Sequence, residues 1–514
     1  MSLRLKSLGY ETPRGDVIFQ NLNLVMNPGR KHGLVGPNGV GKTTLARLLM
    51  GQLEPTAGSV RVDGLIRFFA QSEKAPGIFL GDYLGPLWER LSPPDRAPAL
   101  ALLGGLSLTA KCPDLSGGEW TRARLARTFT QEADWLVFDE PTNNLDRTHR
   151  GHFLDFVRQC PHGLLIISHD RELLEEMDVI LELSNRGLSV FGGNWSFYDS
   201  ASRQERRRRE TKLERSKNAV KKSEKERGQR IQRQEKRQSR GQAKADKGGL
   251  PRILIGGLKR AAQATAGQID HQTQEALHRR VDETREALEG IKAAPQLYAE
   301  FPETRIPASK LVFEAQDFLF RFPGDSADLW RDPVHLTLRG PVKIALEGDN
   351  GAGKSTFLRL LLEPEKIEGT RRGSLKPGAL EGQFLDQKLS QLEDDLSLLE
   401  NVALTARKDP ASLRNLMAPF LFMGDKVHQK AGTLSGGERL RLALAKALLA
   451  DPAPQLLVLD EPTNNVDVLN VEFLEAALRK FQGALIVVSH DENFLENIGV
   501  ERRLRFVAGR RPPD

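Results

Sequence analysis

Two glycine-rich loops of one pattern, GPNGVGKTT and GDNGAGKST, occur in this 514-residue chain. The pattern GxxxxGK[ST] after an apolar run predicts a strand, a loop and a helix whose backbone N–H groups cradle phosphate oxygens. Lys42 and Lys354 are expected to hold β and γ phosphates, and Thr43 and Ser355 to ligate Mg²⁺. One such loop would also fit a kinase, a GTPase or a helicase. The candidate binding residues are Gly36, Pro37, Asn38, Gly39, Val40, Gly41, Lys42, Thr43 and Thr44, and Gly348, Asp349, Asn350, Gly351, Ala352, Gly353, Lys354, Ser355 and Thr356.

A pair of adjacent acids closes an apolar run in each half of the chain. WLVFDE ends in Asp139 and Glu140, and LLVLDE ends in Asp460 and Glu461. Each aspartate is placed to hold the magnesium shell, and each glutamate to orient and deprotonate an attacking water. Two merely solvated acids at a strand end are the alternative, but a matching phosphate loop in each half disfavours it. The pairs therefore indicate nucleotide hydrolysis.

Two histidines stand at equal distances from these acids. His169 and His490 each follow an apolar run and a Ser, 29 residues after Glu140 and Glu461. A lone His at such a place is more often structural. Because the spacing repeats, each is predicted to contact the γ phosphate.

Four further side chains are candidates with open alternatives. Gln71 and Gln387 follow the phosphate loops and could meet Mg²⁺ and the attacking water, although glutamines are common on surfaces. Tyr10 and Phe322 each lie 26 residues before the first glycine of their loop, which fits an aromatic platform for adenine. For Phe322 a core position is equally plausible, because two other phenylalanines directly precede it.

The motif LSGGE occurs once in each half and predicts a second kind of phosphate site. Its two glycines precede a helix rich in Arg and Leu, so the helix N-terminus could bind an anion. The phosphates of its own half are already held by the phosphate loop, so the motif is expected to serve another nucleotide. The residues are Ser116, Gly117, Gly118 and Glu119, and Ser435, Gly436, Gly437 and Glu438.

The elements that must carry these residues have the pattern of an α/β domain in each half. KHGLVG, WLVF and LLIIS in the first half read as buried parallel strands, and LARLLMGQL has helical spacing. KIALEG, LLVLDE, LIVVS and FLRLLL occupy the same places in the second half. The predicted fold class is α/β, with two tandem P-loop nucleotide-binding domains at 1–198 and 309–514.

The segment 199–308 between the halves differs in composition. Residues 201–250 carry 19 Lys and Arg against 7 Asp and Glu, a local balance of +12, so the remaining residues carry −5. Few large apolar residues and no Pro from 203 to 247 predict a long solvated helix. Glycine pairs and Pro251 mark a tip at 248–260, and an apolar stripe on the return arm completes a helical hairpin. Such a basic segment favours nucleic acid as a partner, with a membrane surface second and a plain spacer as the alternative.

The composition bears on where in the cell the protein is located. No stretch approaches the roughly 18 apolar residues of a spanning helix, and the first residues, MSLRLKSLGYETPRG, lack the apolar middle of a signal peptide. Only two cysteines, Cys112 and Cys160, are present, with no metal spacing around them. We expect a cytoplasmic protein with ordinary packed thiols.

With these motifs assembled, the chain resembles the ABC-F class of tandem ABC ATPases over essentially its full length. The resemblance implies a monomer whose two domains close on two ATP molecules, each bound by the phosphate loop of one domain and the LSGGE of the other. The first site would then add Ser435, Gly436, Gly437 and Asp467 to the first loop, and the second would add Ser116, Gly117, Gly118 and Asp146 to the second loop. Asn144 and Asn465 stand where family members usually have a His in PTNHLD.

The resemblance also implies a role for the basic segment, which in family members enters the ribosome's tRNA exit site and binds near tRNA. A ribosome-associated ATPase that modulates translation or relieves stalled or drug-bound ribosomes is therefore the leading hypothesis, with rRNA and tRNA as partners. A DNA-associated ATPase of the same class is the second. The ATPase subunit of a membrane transporter is disfavoured by the segment between the repeats.

Overall fold

The computed structural model describes residues 2–209, nine scattered positions between 211 and 229, 301–464 and 466–509. Met1–Tyr198 and Pro295–Asp514 form one compact unit that holds both repeats, and Asp199–Ala294 forms another. Residues 201–209 are helical. The nine described positions between 211 and 229 are helical too. The rest of the expected hairpin up to residue 300, including its tip at 248–260, and Asn465 lie outside the described residues.

The first repeat is built on a six-stranded sheet of order β5-β6-β7-β3-β8-β9, parallel except for the β8-β9 hairpin. A separate antiparallel sheet has the order β2-β1-β4. The strands are β1 (Leu3–Glu11), β2 (Val17–Met26), β3 (Lys31–Val35), β4 (Ala57–Val62), β5 (Ile66–Phe69), β6 (Trp135–Asp139), β7 (Gly163–Ile167), β8 (Val179–Ser184) and β9 (Gly187–Gly192). The helices are α1 (Lys42–Leu49), α2 (Leu80–Leu84), α3 (Pro86–Arg90), α4 (Pro93–Leu103), α5 (Gly117–Phe129), α6 (Arg147–Gln159) and α7 (Arg171–Glu175).

The second repeat has the same plan, with a parallel sheet of order β14-β15-β16-β12-β17 and an antiparallel sheet of order β11-β10-β13. Its strands are β10 (Leu311–Arg321), β11 (Val334–Arg339), β12 (Lys343–Glu347), β13 (Thr370–Pro377), β14 (Gly382–Leu385), β15 (Leu456–Asp460), β16 (Ala484–Val488) and β17 (Arg502–Arg505). Its helices are α8 (Lys354–Leu362), α9 (Leu398–Ala403), α10 (Pro410–Met417), α11 (Gly436–Leu448), α12 (Val468–Lys480) and α13 (Glu492–Ile498).

The central strands are buried on both faces, which explains their uninterrupted apolar sequences. Along β6, Val137 packs into the core on one face of the sheet, and Leu136 and Phe138 pack into the core on the other. Because β3, β6 and β7 run parallel to one another, their carboxyl ends lie at one edge of the sheet. The phosphate loop, Asp139 and His169 all follow these strand ends, so the topology brings them together.

A smaller helical layer, α2 to α5, lies between β5 and β6 in the chain and has its own apolar cluster around Leu80, Tyr83 and Trp120. It carries α5, the helix that begins at the first LSGGE. Arg124 of this helix is almost fully buried and forms an ion pair with Glu73 at 3.2 Å. Because Glu73 closely follows Gln71, the helix is tied directly to the loop after β5.

The expected parallel strands and the helices after both phosphate loops are confirmed. The antiparallel sheets were not predicted from the sequence, because β2 and its partners are only half buried and their apolar residues are irregularly spaced. None of the helices in the described ranges is long and apolar enough to cross a membrane.

Candidate functional site

Each phosphate loop folds around its own lysine. The Lys42 Nζ donates to the carbonyl oxygens of Gly36 and Pro37 at 2.6 and 3.2 Å. The Lys354 Nζ makes the same two bonds, at 2.6 Å to Gly348 and 3.1 Å to Asp349. Each lysine is the first residue of its helix, so its ammonium group lies inside the loop at the helix N-terminus. A phosphate there would meet the ammonium group and free N–H groups together.

The first glycine of each loop has no room for a side chain. Gly36 has φ +153° and Gly348 has φ +142°, and a Cβ would lie 2.2 Å from the Leu183 carbonyl oxygen or 2.4 Å from that of Phe506. The loop therefore packs against the backbone of a neighbouring strand end. This contact fixes the height of the loop above the sheet.

The proposed magnesium ligands are paired with one another in both repeats. Thr43 Oγ1 donates to Asp139 Oδ2 at 2.7 Å, and Ser355 makes a side-chain hydrogen bond to Asp460. Burial raises the pKa of both aspartates, and the hydroxyl and lysine beside each one oppose that shift. A hydroxyl and a carboxylate at the helix N-terminus are hard oxygen donors, the type that Mg²⁺ prefers. The residues present therefore fit a magnesium nucleotide.

The two glutamates occupy a strained backbone conformation. Glu140 has φ +49° and Glu461 has φ +48°. Their N–H groups donate to the carbonyl oxygens of Ile167 and Val488, both at 2.9 Å, which holds the strain in place. Such residues typically cost about 1–3 kcal/mol and cluster at functional sites.

Burial also shifts the protonation of these glutamates. Loss of hydration raises the pKa of Glu461 to about 7, although Lys354 opposes the shift. The pKa of Glu140 is raised for the same reason, with Lys42 opposing. Carboxylates with a raised pKa are suited to accept a proton near neutral pH.

Each histidine lies beside the glutamate of its own repeat. His169 Nε2 is 3.1 Å from Lys42 Nζ and 3.6 Å from Glu140 Oε1. His490 Nε2 is 3.3 Å from Glu461 Oε1. Burial lowers the pKa of His169 well below its usual value and that of His490 to about 4. Both rings are therefore neutral at physiological pH.

A cavity of about 810 Å³ is lined by residues of both repeats. Pockets of about 300–1,000 Å³ suit drug-sized ligands and cofactors. It brings together the first LSGGE and the second phosphate loop, the pairing expected for the second site. The predicted residues that line it are Ser116, Gly117, Gly118, Glu119, Asp146, Phe322, Asn350, Gly351, Ala352, Gly353, Lys354, Ser355, Thr356, Gln387, Asp460, Glu461 and His490, together with Glu140 and His169 of the first site.

The first phosphate loop also contacts the opposite repeat. The Asn38 N–H donates to Asp467 Oδ2 at 3.1 Å. The other oxygen of Asp467 accepts from the Asn470 N–H at 3.0 Å and caps α12. Asp146 caps α6 in the same way, through the His149 N–H at 3.0 Å. Each aspartate thus fixes the start of a helix that faces the opposite repeat.

The glutamate of each LSGGE is used within its own helix. Glu119 accepts from the Ser116 N–H at 2.8 Å, and Glu438 accepts from the Ser435 N–H at 3.0 Å. Both serines and glutamates form capping boxes for α5 and α11. The glutamates therefore hold the helix start in shape, and the N–H groups after the serine are left to face a ligand.

The aromatic and glutamine candidates occupy different settings. Phe322 is 38% exposed and lines the shared cavity, whereas the two phenylalanines before it in β10 are buried. Tyr10 is half-buried and packs against the first repeat's core. Gln387 lines the cavity, and Gln71 is exposed after β5.

Several lining residues were missed from the sequence. Arg122, Arg150 and Leu329 line the cavity, and the carbonyl oxygen of Asn144 accepts from Asn350 Nδ2 across the repeats at 2.8 Å. The arginines lie on helices with many charges, where nothing distinguishes a residue facing another domain from one facing water. In the sequence, Asn144 stands out only as a departure from the family motif. Its φ of +66° is a conformation that asparagine adopts more readily than most residues.

Two phosphate loops, two strand-end acid pairs and a cavity shared between repeats define the chain as a tandem ATPase of the ABC type. Residues 19–75 and 331–464 match the family described as "ABC transporter". The chain belongs to the ABC-F class of this family, whose general chemistry is ATP binding and hydrolysis. It is 30% identical to the ATP-binding protein Uup of Caulobacter vibrioides over 494 residues, which cover 94% of this chain and 73% of that protein.

A second relative agrees with this assignment, and a solved structure has the same fold. The ribosome protection protein VmlR of Bacillus subtilis is 27% identical over 523 residues, covering 99% of this chain and 89% of the relative. The archaeal ribosome recycling factor aABCE1, solved with the ribosomal stalk protein aP1, has a similar fold with a TM-score of 0.62. It is 19% identical, and the match covers 98% of this chain and 87% of that one.

Proposed function

We propose that this protein is a cytoplasmic, ribosome-associated ATPase that closes on two Mg-ATP molecules and acts on translation through its basic segment. In each site, Lys42 or Lys354 holds phosphate and Glu140 or Glu461 accepts a proton from the attacking water. The LSGGE serine and glycines of the opposite repeat complete the site. The observation that carries the proposal is the cavity lined by the first LSGGE and the second phosphate loop.

Mg²⁺ has a specific place in this proposal. The hydroxyl and aspartate pairs, Thr43 with Asp139 and Ser355 with Asp460, supply oxygen ligands, and Gln71 and Gln387 would complete the shell. The metal would neutralise charge on the phosphate oxygens. Removing divalent cations with a chelator is expected to abolish phosphate release, and added Mg²⁺ should restore it. Full activity after exhaustive chelation would contradict this role.

The ribosome is proposed as the partner for two reasons. VmlR, a ribosome protection protein by name, resembles this chain from end to end. The net positive charge of the chain comes from residues 201–250, where Lys and Arg outnumber acids 19 to 7. Such a segment suits phosphate-backbone contact without sequence readout.

Cosedimentation with ribosomes tests this function. The Glu140→Gln/Glu461→Gln protein is expected to pellet with ribosomes in ATP more than the wild type does, because closure persists when hydrolysis is blocked. Equal pelleting of the two proteins would contradict the proposal. Branched DNA added at physiological salt serves as competitor, and preferential capture by DNA would support the DNA-associated alternative.

A charge-reversed variant identifies the binding segment. Changing Arg206, Arg209, Lys221 and Lys225 to Glu should weaken pelleting and spare basal ATP hydrolysis. The matched control reverses four exposed charges in the first repeat, which changes net charge equally: Arg4, Lys6, Arg14 and Arg186. Equal loss of pelleting in both proteins would show that overall charge, and not the segment, governs binding.

A further inference from the structure

An arginine of the first repeat reaches the catalytic histidine segment of the second. Arg150 Nη1 donates to the carbonyl oxygen of His490 at 2.9 Å. Its Nη2 contacts Asp170 at 2.5 Å and Glu172 at 2.9 Å, both in its own repeat. The side chain is only 12% exposed. The guanidinium group is therefore fixed by two carboxylates and directed at one backbone oxygen of the opposite repeat.

The position of Arg150 on its helix connects two parts of the second site. It lies in the first turn of α6, the helix capped by Asp146, and Asp146 itself lines the shared cavity. Burial by itself would lower the pKa of Arg150, but Asp170, Glu172 and Asp491 raise it overall. The group is thus a permanent cation. A rigid link runs from the cavity wall in one repeat to the His490 backbone in the other.

His490 needs such positioning. Its ring lies 3.3 Å from Glu461 and has neighbours from both repeats. A hydrogen bond to its carbonyl oxygen restrains the backbone from which the ring projects. Small displacements of groups in an active site are costly, and about 1 Å can lower a rate by about 100-fold.

Among residues 301–464 and 466–509, no described hydrogen bond reaches the His169 carbonyl oxygen in the way that Arg150 reaches that of His490. Counting from the helix-capping aspartates, the residue equivalent to Arg150 is Val471. Val471 is buried in the core of its own repeat and carries no donor. The two sites, otherwise matched motif by motif, differ at this point.

We propose that Arg150 is a positioning residue that makes hydrolysis at the second site, the one containing Lys354 and Glu461, depend on contact with the first repeat. The first site, with Lys42 and Glu140, lacks this dependence. The inference rests on the proposed ATPase function. It predicts that a substitution of Arg150 that keeps a cation beside Asp170 slows hydrolysis of the ATP held by the second repeat's phosphate loop and spares the ATP held by the first.

The chain offers a matched control at the same boundary. Arg147 forms an ion pair with Glu492 of the second repeat at 2.9 Å, and its side chain is 71% exposed. The described hydrogen bond to the His490 carbonyl oxygen comes from Arg150 and not from Arg147. Both arginines belong to the first turn of α6. Arg147→Met therefore removes a cross-repeat ion pair and leaves the His490 backbone untouched.

Single-turnover phosphate release from stoichiometric ATP tests the inference. In the Glu140→Gln background only the second site keeps its glutamate, and in the Glu461→Gln background only the first does. Arg150→Met is expected to slow release by about 10- to 100-fold in the Glu140→Gln background. It should slow release by a smaller factor in the Glu461→Gln background, because it also removes the ion pair with Asp170, the residue that follows His169 of the first site. Arg147→Met should change neither rate. ATP affinity, measured at equilibrium, should stay the same, because the effect is on the hydrolysis step.

A second variant separates positioning from stability. Arg150→Lys keeps a cation beside Asp170 and Glu172 but loses the planar fork that also reaches His490. We expect it to unfold at the wild-type temperature, to be slow at the second site, and to stay within about twofold of its parent's rate at the first site. Equal slowing in both backgrounds, or wild-type rates for either Arg150 variant in the Glu140→Gln background, would overturn the inference. No phosphate release from either background without the Arg150 change would overturn the proposed function as well.

Discussion

Replacing both Glu140 and Glu461 with Gln is expected to lower kcat for ATP hydrolysis by about 10²–10⁴-fold, the usual contribution of a positioned general base. The amide has nearly the same shape and cannot accept the proton of water. ATP affinity should persist, because the lysines, hydroxyls and loop backbones are unchanged. Phosphate release at saturating Mg-ATP and equilibrium nucleotide binding measure the two quantities.

Stability should not fall in this variant. Burial already disfavours the charged form of both glutamates, as the raised pKa values show, and a neutral amide avoids that cost. The matched control is Glu132→Gln/Glu381→Gln, which removes two exposed acids next to β5, β6 and β14. A rate of hydrolysis within about threefold of wild type in the Glu140→Gln/Glu461→Gln protein would rule out the glutamates as general bases, because removing a general base is expected to cost about 10²–10⁴-fold.

Replacing Gly348 with Ala is expected to destabilise the second repeat by about 3 kcal/mol. The new Cβ would lie 2.4 Å from the Phe506 carbonyl oxygen, and overpacking of this kind costs about 1–3 kcal/mol. The positive φ adds about 1–2 kcal/mol for a residue with a side chain. Relief of the clash would move the loop, so nucleotide binding at Lys354 should weaken too.

Gly351→Ala is the control for this substitution. Gly351 belongs to the same loop and also has a positive φ, +79°, but nothing lies within 4 Å of a Cβ built there. Only the conformational cost remains, about 1–2 kcal/mol. Chemical unfolding monitored in the absence of nucleotide compares the two proteins. Equal shifts would show that the contact with Phe506 contributes nothing.

The sequence was sufficient to predict the sheet strands that carry the chemistry and the residues at their ends. Local patterns decide these features: apolar runs buried on both faces, loops with glycines at fixed spacing, and acids at strand ends. The expected pairing of Ser116 with the second phosphate loop came from family resemblance, supported by the surplus of phosphate-binding helix starts. The structure places those two segments around one cavity.

Features that depend on packing between distant segments were not predictable. The positive φ of Glu140 and Glu461 is held by hydrogen bonds to the neighbouring strand. A glutamate in the sequence gives no indication of a positive φ. Arg150 and Arg171 look like solvated helix charges in the sequence. In the structure both are largely buried, and each contacts the second repeat, at His490 and at Glu475.

The ion pairs between the repeats have a consequence for which domains can associate. Arg171 and Glu475 form a buried pair at 2.9 Å, and Arg147 pairs with Glu492. By spacing from the capping aspartates, Arg171 corresponds to Glu492, and Glu475 corresponds to Leu154. Two copies of the first repeat would set Arg171 against Leu154, and two copies of the second would set Glu475 against Glu492. Either homodimer would bury unpaired or like charges. The repeats are thus complementary in charge, and each discriminates its partner within the chain from a copy of itself.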